Sequence, residues 1–511
     1  MLAKVWSAAT LGIDAVRIVI EVDAGGYCAQ PGFTLVGLPD AAVRESYSRV
    51  RSALANCGLH LPPRHITVNL SPADVRKEGS GFDLPIAIGI LQALEFLTED
   101  HVANRVFVGE LSLDGTLTAI RGTLSISAAL AGDAAIRELI VPVANANEAA
   151  AVRATRIVGA RSLTGLLSHL RGEAPIAPAE SVVPVEPSID GADFSDVRGQ
   201  AQAKRALEVA AAGGHNVMMI GPPGSGKTML AKRLASILPR LSPEEAIVTT
   251  KIHSIAGTLP PGSGLLARRP FRAPHHTIST AGLAGGGTPL RPGEVSLAHH
   301  GVLFLDELPE FRRETLEAMR QPMEDGIVTI ARASRTVTYP ARFTLAAALN
   351  PCPCGFFNDS RRECICTPPQ ISRYLAKVSG PLLDRVDLQV EVPALTSDEI
   401  TATEPGEPSD AIRTRVEAAR QIQRDRFRRA HVQCNAEMAT RQMRRFCDLD
   451  PPSRKLLTSA IDRLGLSARA HDRILKVSRT IADLAGKEAI DAAHVAEAVQ
   501  YRALDRAYFR T

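Results

Sequence analysis

The stretch GPPGSGKT at residues 221–228 constrains the fold of this chain more than any other part of its sequence. The apolar run NVMMI comes before it and the amphipathic run MLAKRLASIL after it, which predicts a strand, a loop and a helix. Glycines let the backbone N–H groups of such a loop curl around phosphate oxygens. The candidate phosphate-binding residues are Gly221, Pro222, Pro223, Gly224, Ser225, Gly226, Lys227 and Thr228. We expect Lys227 to neutralise phosphate oxygens and Thr228 to bind Mg²⁺.

Two further strands are expected to end beside this loop. The run GVLFLDE ends in Asp306 and Glu307, and the run RFTLAAALN ends in Asn350. Ligands of open α/β sheets bind at the carboxyl ends of the strands, so these side chains should meet the phosphates. Asp306 is the candidate Mg²⁺ ligand, Glu307 is expected to polarise the attacking water, and Asn350 to orient it. The alternative for each is a polar residue that simply ends a strand.

The composition is that of a soluble protein with several domains. A chain of 511 residues is too long for one ordinary core, and roughly two to four domains are expected. The formal net charge of +4 is small, so any surface for nucleic acid must be local. The amino terminus has no apolar run long enough for a signal peptide or a membrane span. We therefore expect a cytoplasmic protein with no membrane partner.

Sequence patterns divide the chain into four regions. Residues 1–170 mix short β-rich runs with helical stretches, which indicates an α+β domain. Residues 171–190 contain prolines among small and acidic residues without periodicity, and are predicted to be a linker. Residues 191–395 alternate apolar strands with amphipathic helices, as a parallel α/β sheet requires. Residues 396–511 are helical and rich in arginine.

Two arginines are candidates for stabilising the transition state of phosphoryl transfer. Arg385 lies in the run SGPLLDRVDL, and Arg469 lies at the start of a predicted helix in LSARAHDRILKVSRTIADL. A guanidinium that reaches the nucleotide of an adjacent subunit would stabilise the charge on the transferred phosphoryl group, a role that suits Arg385. The alternative for either arginine is a solvated surface residue.

Four of the eight cysteines lie in one short segment, NPCPCGFFNDSRRECIC, within the loop 350–367. In the cytoplasm disulfides rarely persist, so clustered cysteines favour a metal site. Four thiolates leave no open position, and we therefore predict a structural Zn²⁺ with redox or idle thiols as the alternative. The predicted ligands are Cys352, Cys354, Cys364 and Cys366. The histidines outside this spacing are interpreted as ordinary core or surface residues: His253, His275, His276, His299 and His300.

The set GPPGSGKT, VLFLDE, LNPCPCG, SGPLLDRVDL and SARAHDRILKVSRTIADL resembles the magnesium-chelatase-like AAA+ ATPases, and closely the ComM/YifB family of bacterial DNA helicases. The resemblance covers essentially the whole chain. It implies an α/β fold with an AAA+ P-loop core and a helical lid, ATP and Mg²⁺ as cofactors, and a ring-shaped homo-hexamer. It also implies that Asn350 is the sensor-1 residue, Arg385 the arginine finger and Arg469 the sensor-2 residue.

Two segments resemble inserts of this AAA+ branch. FRAPHHTISTAGLAGGGTPLRPGEVSLAHH is similar to the helix-2 insert, with a helix that begins near HHTIST, breaks at AGGGTP and resumes at EVSLAHH. GIVTIARASRTVTYPARF is similar to the hairpin before sensor 1 in replicative MCM helicases, and places Arg332 and Arg335 at its tip. Arginines there would contact the phosphate backbone of DNA in a central channel. An ordinary solvated hairpin is the alternative.

The amino-terminal region resembles the Lon protease catalytic domain, which has a ribosomal-S5-domain-2-like fold. The segments KEGSGFDLPIAIGIL and VGELSLDGTLTAIRGTLSISAAL match its two halves. The positions of the Lon nucleophilic serine and activating lysine are Gly81 and Leu124 here. Ser80 is one residue away, and no lysine occurs between Lys77 and Lys204. The resemblance therefore implies a scaffold for DNA binding or assembly, without the Ser–Lys pair that peptidase chemistry needs.

The leading functional hypothesis is an ATP-dependent DNA helicase or translocase. The resemblance implies branch migration on single-stranded or branched DNA, with recombination proteins as partners, during the integration of DNA in natural transformation. A metal-insertion motor of the magnesium chelatase kind is an alternative, and an ATP-dependent Lon-like protease is another.

Overall fold

The computed structural model describes three structural units. They are an amino-terminal mixed α/β unit, a parallel α/β core and a carboxyl-terminal group of helices. Within the described residues, no helix combines the length and apolar character needed to cross a membrane. The described residues are 2–152, 155–180, 191–260, 262–288, 290–332, 335–359, 361–396, 398–399, 406–428, 430, 432–504 and 508.

The amino-terminal unit is built on one mixed sheet with helices packed against it. Its strands are β1 (Leu2–Leu11), β2 (Asp14–Tyr27), β3 (Phe33–Val36), β4 (Arg64–Ser71), β5 (Arg105–Phe107), β6 (Glu110–Leu111), β7 (Leu117–Thr118), β8 (Glu138–Pro142) and β9 (Arg156–Ala160). Its helices are α1 (Ala41–Arg44), α2 (Ser46–Asn56), α3 (Asp83–Ala93), α4 (Glu99–Val102), α5 (Thr123–Leu130), α6 (Ala146–Ala150) and α7 (Leu163–Leu170). Seven strands form the sheet in the order β3-β4-β2-β1-β5-β8-β9, and β6 pairs with β7.

Burial follows the sequence pattern in this unit. The apolar side chains Ile18, Ile20 and Val22 alternate along β2 and face the core. Helix α3 is apolar all round and is buried at every position, where it packs on β1 and β2. Gly89 of α3 allows the close approach, since a Cβ there would lie 2.6 Å from Val22 Cγ2.

The segment predicted as a linker is partly folded onto the amino-terminal unit. Ile176 packs against the core of that unit, and the Ala179 N–H donates to the Ile157 carbonyl. The apolar residues among the prolines explain this difference from the prediction, because they have a sheet edge to cover. Residues 181–190 lie outside the described part of the chain.

The core unit is a sheet covered by helices on both faces. Its strands, with two short hairpins, are β10 (Val217–Ile220), β11 (Phe271–Arg272), β12 (Gly285–Gly286), β13 (Arg291–Pro292), β14 (Val302–Leu305), β15 (Ile327–Arg332), β16 (Arg335–Pro340), β17 (Thr344–Leu349) and β18 (Leu388–Glu391). Its helices are α8 (Ala201–Gly213), α9 (Lys227–Ile237), α10 (Pro243–Ala256), α11 (Thr280–Ala284), α12 (Glu294–Leu297), α13 (Arg313–Glu317), α14 (Arg320–Asp325), α15 (Pro368–Leu375) and α16 (Gly380–Leu383).

Five parallel strands form this sheet in the order β11-β14-β17-β10-β18. Strands β10, β14 and β17 are buried at every position, as their unbroken apolar runs predict. The register pairs Ile220 of β10 with Leu349 of β17 and Glu391 of β18. The residues that follow β10, β14 and β17 therefore meet at one edge of the sheet, as the sequence predicts.

The insert between α10 and β14 follows the predicted order of helix, break and helix. Its first helix, α11, begins at Thr280, the last residue of HHTIST, where the Ser279 side chain accepts from the Gly282 N–H and caps the helix. Strands β12 and β13 then form a two-stranded hairpin before α12. Strands β15 and β16 form the predicted second hairpin, whose tip residues 333–334 are outside the described part.

The carboxyl-terminal helices pack on α8 and on one another. They are α17 (Ser409–Phe427), α18 (Thr440–Phe446), α19 (Pro451–Leu464), α20 (Ala468–Leu484) and α21 (Ala492–Gln500). Their apolar side chains share one core with β10 and α8, which places them as a lid on the sheet. The chain then returns to the core unit, where Tyr508 is buried and its hydroxyl donates to Glu391 Oε1 at 3.1 Å.

Candidate nucleotide site and cysteine cluster

The loop 221–228 connects β10 to α9, and Lys227 is the first residue of the helix. Gly224 and Gly226 have φ values of +76° and +89°, which side chains rarely tolerate. Gln200 lies just before α8. Its Nε2 donates to the Ser225 carbonyl at 2.6 Å and so helps to hold the loop in place. Gln200 itself has a positive φ of 50°. No motif in the sequence singled it out.

The Lys227 ammonium occupies the centre of the loop. Its Nζ donates to the carbonyl oxygens of Gly221 at 2.6 Å and Pro222 at 2.8 Å, and to Asn350 Oδ1 at 3.2 Å. The last contact joins the predicted sensor asparagine to the predicted phosphate ligand. Burial lowers the pKa of Lys227 to about 8. An incoming phosphate would raise this pKa again, because a nearby anion favours the charged ammonium.

Thr228 and Asp306 are in direct contact, as a shared metal ion requires. The Thr228 hydroxyl donates to Asp306 Oδ2 at 2.6 Å. Mg²⁺ takes only one or two protein oxygens beside water and phosphate oxygens, so this hydroxyl and carboxylate fit the ion. The structure thus brings together both residues for which a magnesium role was predicted.

Glu307 lies beside this pair on the strand end of β14. Its backbone has a φ of +51°, in the left-handed region. The side chain is 54% exposed, and its Oε2 lies 3.3 Å from His276 Nδ1. Sequence reasoning missed His276, because it classed the histidine as an ordinary polar residue. The one available signal was the histidine pair near the start of the insert.

A tyrosine that the sequence did not single out completes the floor of the site. Tyr374 of α15 is buried, and its hydroxyl interacts with the Asn350 backbone. Burial, together with the nearby charges of Glu310 and Glu307, raises the pKa of Tyr374 above its ordinary value. The neutral phenol therefore fixes the position of Asn350 at the end of β17.

Arg385 and Arg469 lie at the opposite edge of the sheet. Arg385 precedes β18, and its carbonyl accepts from Asn216 Nδ2 at the amino end of β10. Roughly 13 Å of strand, at about 3.3 Å per residue, separates that edge from the phosphate loop. Arg469 Nη1 lies 3.7 Å from Asp384 Oδ2. The structure places both arginines together and away from the phosphate loop of their own chain.

The two arginines line one wide, charged cavity of about 1060 Å³ between the sheet and the lid. The loop 221–228 is absent from the described lining of this cavity. Arg385 is 5% exposed, donates to Glu324, and feels the positive charge of Arg469. Its predicted role on the nucleotide of a neighbouring subunit stays a prediction. Arg469 also lies away from the phosphate loop of its own chain.

The four cysteines converge as the sequence predicts. The Sγ atoms of Cys352 and Cys354 are 3.3 Å apart. The Sγ atom of Cys364 lies 3.7 Å from that of Cys352 and 3.6 Å from that of Cys354. All four ligand atoms, with Cys366, lie within 4.8 Å of one another, and none of the thiols forms a disulfide. Four sulfurs at about 2.3 Å from a tetrahedral Zn²⁺ are about 3.8 Å apart, so the cluster fits a metal ion.

The cysteine loop contacts the phosphate loop directly. Gly355 has a φ of +87°, and a Cβ at this position would lie 2.5 Å from Pro223 Cδ. The absence of a side chain therefore lets the two loops pack together. This contact joins the loop of the cysteine cluster to the phosphate loop through one residue of each loop.

We expect Gly355→Ala to weaken nucleotide binding several-fold and to lower the melting temperature. The added methyl group collides with Pro223, and the left-handed backbone costs about 1 to 2 kcal/mol for a residue with a side chain. Titration with a fluorescent ATP analogue and thermal denaturation measure the two effects. Gly26→Ala is the control, since a Cβ there meets nothing within 4 Å. Unchanged nucleotide affinity in Gly355→Ala would show that the contact does not brace the loop.

The Lon-like positions of the amino-terminal unit have other partners. The Ser80 hydroxyl donates to Glu110, and the buried Lys77 ammonium donates to the Pro72 carbonyl. Leu124 is fully buried, and a Cβ at Gly81 would pack on Ile120. Ser80 and Lys77 thus bond to other groups and not to each other.

The amino-terminal unit is docked on the core unit by buried polar contacts. The hydroxyl of Ser254 on α10 accepts from the Gly122 N–H at 2.8 Å and donates to Glu148 Oε1 at 2.5 Å. Lys251, one turn earlier, forms an ion pair with Asp14 at 3.3 Å. The first hairpin of the chain also reaches the second hairpin of the core, where a Cβ at Gly12 would lie 3.1 Å from Val337 Cγ1.

The candidate DNA-contact arginines lie on that second hairpin. Arg332 is exposed at the end of β15 and pairs in register with Arg335 of β16. Only the backbone of Arg335 is described. The geometry is compatible with a basic tip.

The sheet order, the phosphate loop after β10 and the polar strand ends of β14 and β17 define a P-loop protein of the AAA+ class. Three family descriptions match the chain in turn: "Subunit ChlI of Mg-chelatase" at residues 20–145, "Magnesium chelatase, subunit ChlI" at 193–400, and "Magnesium chelatase, subunit ChlI C-terminal" at 406–502. The chain belongs to the ComM/YifB family of magnesium-chelatase-like AAA+ proteins.

Full-length relatives support this assignment. The chain is 45% identical to Competence protein ComM of Haemophilus influenzae over 511 residues, which cover 99% of this chain and 98% of that protein. It is 43% identical to the protein YifB of Escherichia coli over 506 residues, with 99% and 98% covered. A magnesium-chelatase 67 kDa subunit of Chlorobaculum parvum is 30% identical over 164 residues, 31% of this chain and 23% of that protein.

Proposed function

We propose that this protein is an ATP-dependent DNA translocase that forms a hexameric ring and promotes branch migration of single-stranded or branched DNA. The observation that carries the proposal is the path of β15, β16 and β17. The hairpin with the exposed Arg332 runs directly into β17, and β17 ends at Asn350, which contacts Lys227. A change in the nucleotide is thereby linked to the basic hairpin along one strand.

In this proposal the residues of one chain bind ATP and a neighbouring subunit completes the site. Lys227 exchanges its carbonyl partners for phosphate oxygens, and Glu307 accepts a proton from the attacking water. Mg²⁺, held by Thr228 and Asp306, would neutralise phosphate charge. Arg385 and Arg469 act on the nucleotide of the next subunit, because they lie at the far edge of their own sheet.

The biological setting of the proposal rests on the name of one relative. Competence protein ComM is similar over nearly the whole chain, which supports a role in natural transformation. We infer that the protein works in the cytoplasm on incoming DNA, together with recombination proteins. The cysteine cluster would hold one structural Zn²⁺ that fixes the loop after Asn350.

A magnesium-chelatase-type motor is the second candidate, because residues 193–400 match the chelatase subunit. The two candidates differ in what stimulates ATP turnover. DNA should stimulate a translocase, whereas a tetrapyrrole-binding partner should stimulate a chelatase motor.

The proposal predicts that Arg332→Ala lowers affinity for single-stranded DNA with little dependence on sequence. The side chain would contact phosphates, so each lost contact should reduce the log–log salt slope by about 0.7. Fluorescence anisotropy with labelled oligonucleotides at several salt concentrations measures both quantities. DNA-free ATP turnover should persist while branch migration of three-stranded DNA fails.

The matched control is Arg454→Ala, which removes an exposed arginine of the lid paired with Asp448 at 3.4 Å. It should leave the salt slope unchanged. The proposal is wrong if wild-type protein with ATP leaves forked and three-stranded DNA intact and DNA does not stimulate its ATP turnover.

A further inference from the structure

Two arginines from different structural units lie together where the amino-terminal unit docks on the core unit. Arg121 lies between β7 and α5 of the amino-terminal unit, and Arg291 begins β13 of the insert in the core unit. Both residues are exposed to solvent. Partial burial, and then the positive charge of Arg291, lower the pKa of Arg121 below its ordinary value. The docking of the two units therefore brings two like charges together, and we call these residues the arginine pair.

No carboxylate neutralises the arginine pair. In the part of the chain that the structure describes, neither guanidinium has a hydrogen bond or an ion pair with an acidic group. Glu294, three residues after Arg291, pairs with Arg272 at 2.6 Å. Glu148, at the joint between the units, accepts from the Ser254 hydroxyl. Two cations held together without an anion repel each other, and an anion between them would remove this unfavourable energy.

The position of Arg121 is fixed by its surroundings. Its side chain lies over Gly257, the residue that follows α10, where a Cβ would lie 2.6 Å from Arg121 Nε. The next residue, Gly122, donates its N–H to the Ser254 hydroxyl at 2.8 Å. A cation at the carboxyl end of a helix is favourable by about 0.3 to 1 kcal/mol. This helix effect explains the position of Arg121, but it does not explain why a second arginine lies beside it.

The arginine pair is connected to the basic hairpin β15–β16 by direct contacts. The Tyr339 hydroxyl of β16 donates to the carbonyl of Leu290, the residue before β13, at 3.2 Å. A Cβ at Gly285 of β12 would lie 2.7 Å from Ile330 Cδ1 of β15. The hairpin β12–β13 therefore packs on the hairpin that carries Arg332, and it also contacts α10 beside the amino-terminal unit.

We propose that the arginine pair binds a phosphate group of the DNA backbone, so that the DNA path extends from the hairpin β15–β16 onto the amino-terminal unit. This inference rests on the proposed function and adds a contact that neither structural unit can make alone. A phosphodiester supplies the negative charge that the two guanidiniums lack, and guanidiniums bind phosphate oxygens through paired N–H donors. Contacts to the backbone carry no sequence information, so the pair would hold DNA of any sequence.

The test is the binding of a fluorescently labelled oligothymidylate at several salt concentrations. The double variant Arg121→Ala with Arg291→Ala should bind it about tenfold more weakly, as for the loss of a charge-assisted contact. Its log–log salt slope should fall by about 0.7, the contribution of one phosphate on a single strand. Each single variant should show most of this loss, because the two side chains share that phosphate. DNA-free ATP turnover should stay within about twofold.

A charge reversal separates DNA binding from a role in docking. In Arg121→Glu the new carboxylate can pair with Arg291, so the melting temperature should stay that of the wild type. Affinity for the oligothymidylate should nevertheless fall further than in Arg121→Ala, because a carboxylate repels phosphate. The control is Arg51→Ala, which removes an exposed arginine from α2 of the same unit and should change neither the affinity nor the salt slope.

Wild-type affinity and salt slope in the double variant would overturn the inference. If Arg332→Ala weakens binding in the same assay, the proposed function stands in that case. A wild-type protein that does not bind the oligothymidylate would contradict both. Lower melting temperatures in both Arg121→Ala and Arg121→Glu, with normal DNA affinity in Arg291→Ala, would assign Arg121 to docking alone. If Arg121→Ala does not fold, Arg291→Ala decides the question by the same measurements.

Discussion

Glu307→Gln should bind ATP with nearly normal affinity and lose ATP turnover by about 10²- to 10⁴-fold. The amide keeps the shape of the side chain but cannot accept a proton from water, and general-base catalysis contributes about this factor. The left-handed backbone at Glu307 and the Thr228–Asp306 contact do not depend on its charge. A steady-state phosphate-release assay and titration with a fluorescent ATP analogue separate turnover from binding.

Lys227→Ala should show the complementary defect. The ammonium makes its contacts inside the loop that receives the phosphates, so its loss should weaken ATP binding about 10- to 100-fold, as for a charge-assisted hydrogen bond of about 1.5 to 3 kcal/mol. The same binding titration measures this loss. A variant with normal ATP affinity would remove Lys227 from the role of phosphate ligand.

Glu310→Gln is the matched control for Glu307→Gln. Glu310 is exposed three residues further on and pairs with Lys377 at 3.3 Å. Its substitution removes one nearby carboxylate and should leave turnover within about twofold. Equal turnover in Glu307→Gln and the wild type would assign water activation to another group.

The nucleotide side of the site was predictable because its determinants are local. Unbroken apolar runs of four or five residues fix β10, β14 and β17 as buried parallel strands. Parallel strands bring their carboxyl ends to one edge, which is why Asp306 and Asn350 could be placed beside Lys227 without a structure. The cysteines were predictable for a similar reason, since two close pairs flank one loop.

Other features depend on tertiary contacts that no local pattern encodes. His276 reaches Glu307 from a different strand connection, and Gln200 reaches the phosphate loop from the segment before α8. Residues 171–180 contain a linker-like composition, yet Ile176 finds an apolar surface to cover. Burial of this kind depends on what lies opposite in the fold, so composition alone does not predict the contact of Ile176.

The resemblance assigned roles to Arg385 and Arg469. The topology of the sheet explains where these arginines lie relative to the phosphate loop. Arg385 precedes β18, so it must lie at the amino edge, while the phosphate loop follows β10 at the carboxyl edge. Buried contacts between the lid and the sheet hold this arrangement, including the pair Arg473 and Asp387. The direction of the strands therefore places Arg385 away from the phosphate loop of its own chain, and its role on an adjacent subunit's nucleotide stays a prediction.

Loss of the cysteine cluster should lower both the stability of the protein and its affinity for nucleotide. Purified protein is expected to carry about one zinc per chain, because four thiolates fill one tetrahedral site. Cys352→Ser should lose the metal and lower the melting temperature, since metal binding contributes directly to folding. Elemental analysis and thermal denaturation measure these results, and Cys28→Ser, outside the cluster, should change neither.

The packing of Gly355 on Pro223 extends this prediction from stability to function. If the metal holds the cysteine loop in place, its removal by a chelator should weaken ATP binding before the protein unfolds. The effect should resemble that of Gly355→Ala and should reverse on addition of zinc. Folded, active protein that contains no metal would disprove the zinc site. If the metal is lost and the affinity for ATP is unchanged, the ion stabilises the fold without affecting nucleotide binding. Cys352→Ser makes the same comparison without a chelator. The buried sulfur of Cys352 contacts the other cysteines and none of the phosphate ligands described here, so a loss of ATP affinity in this variant would act through the cysteine cluster.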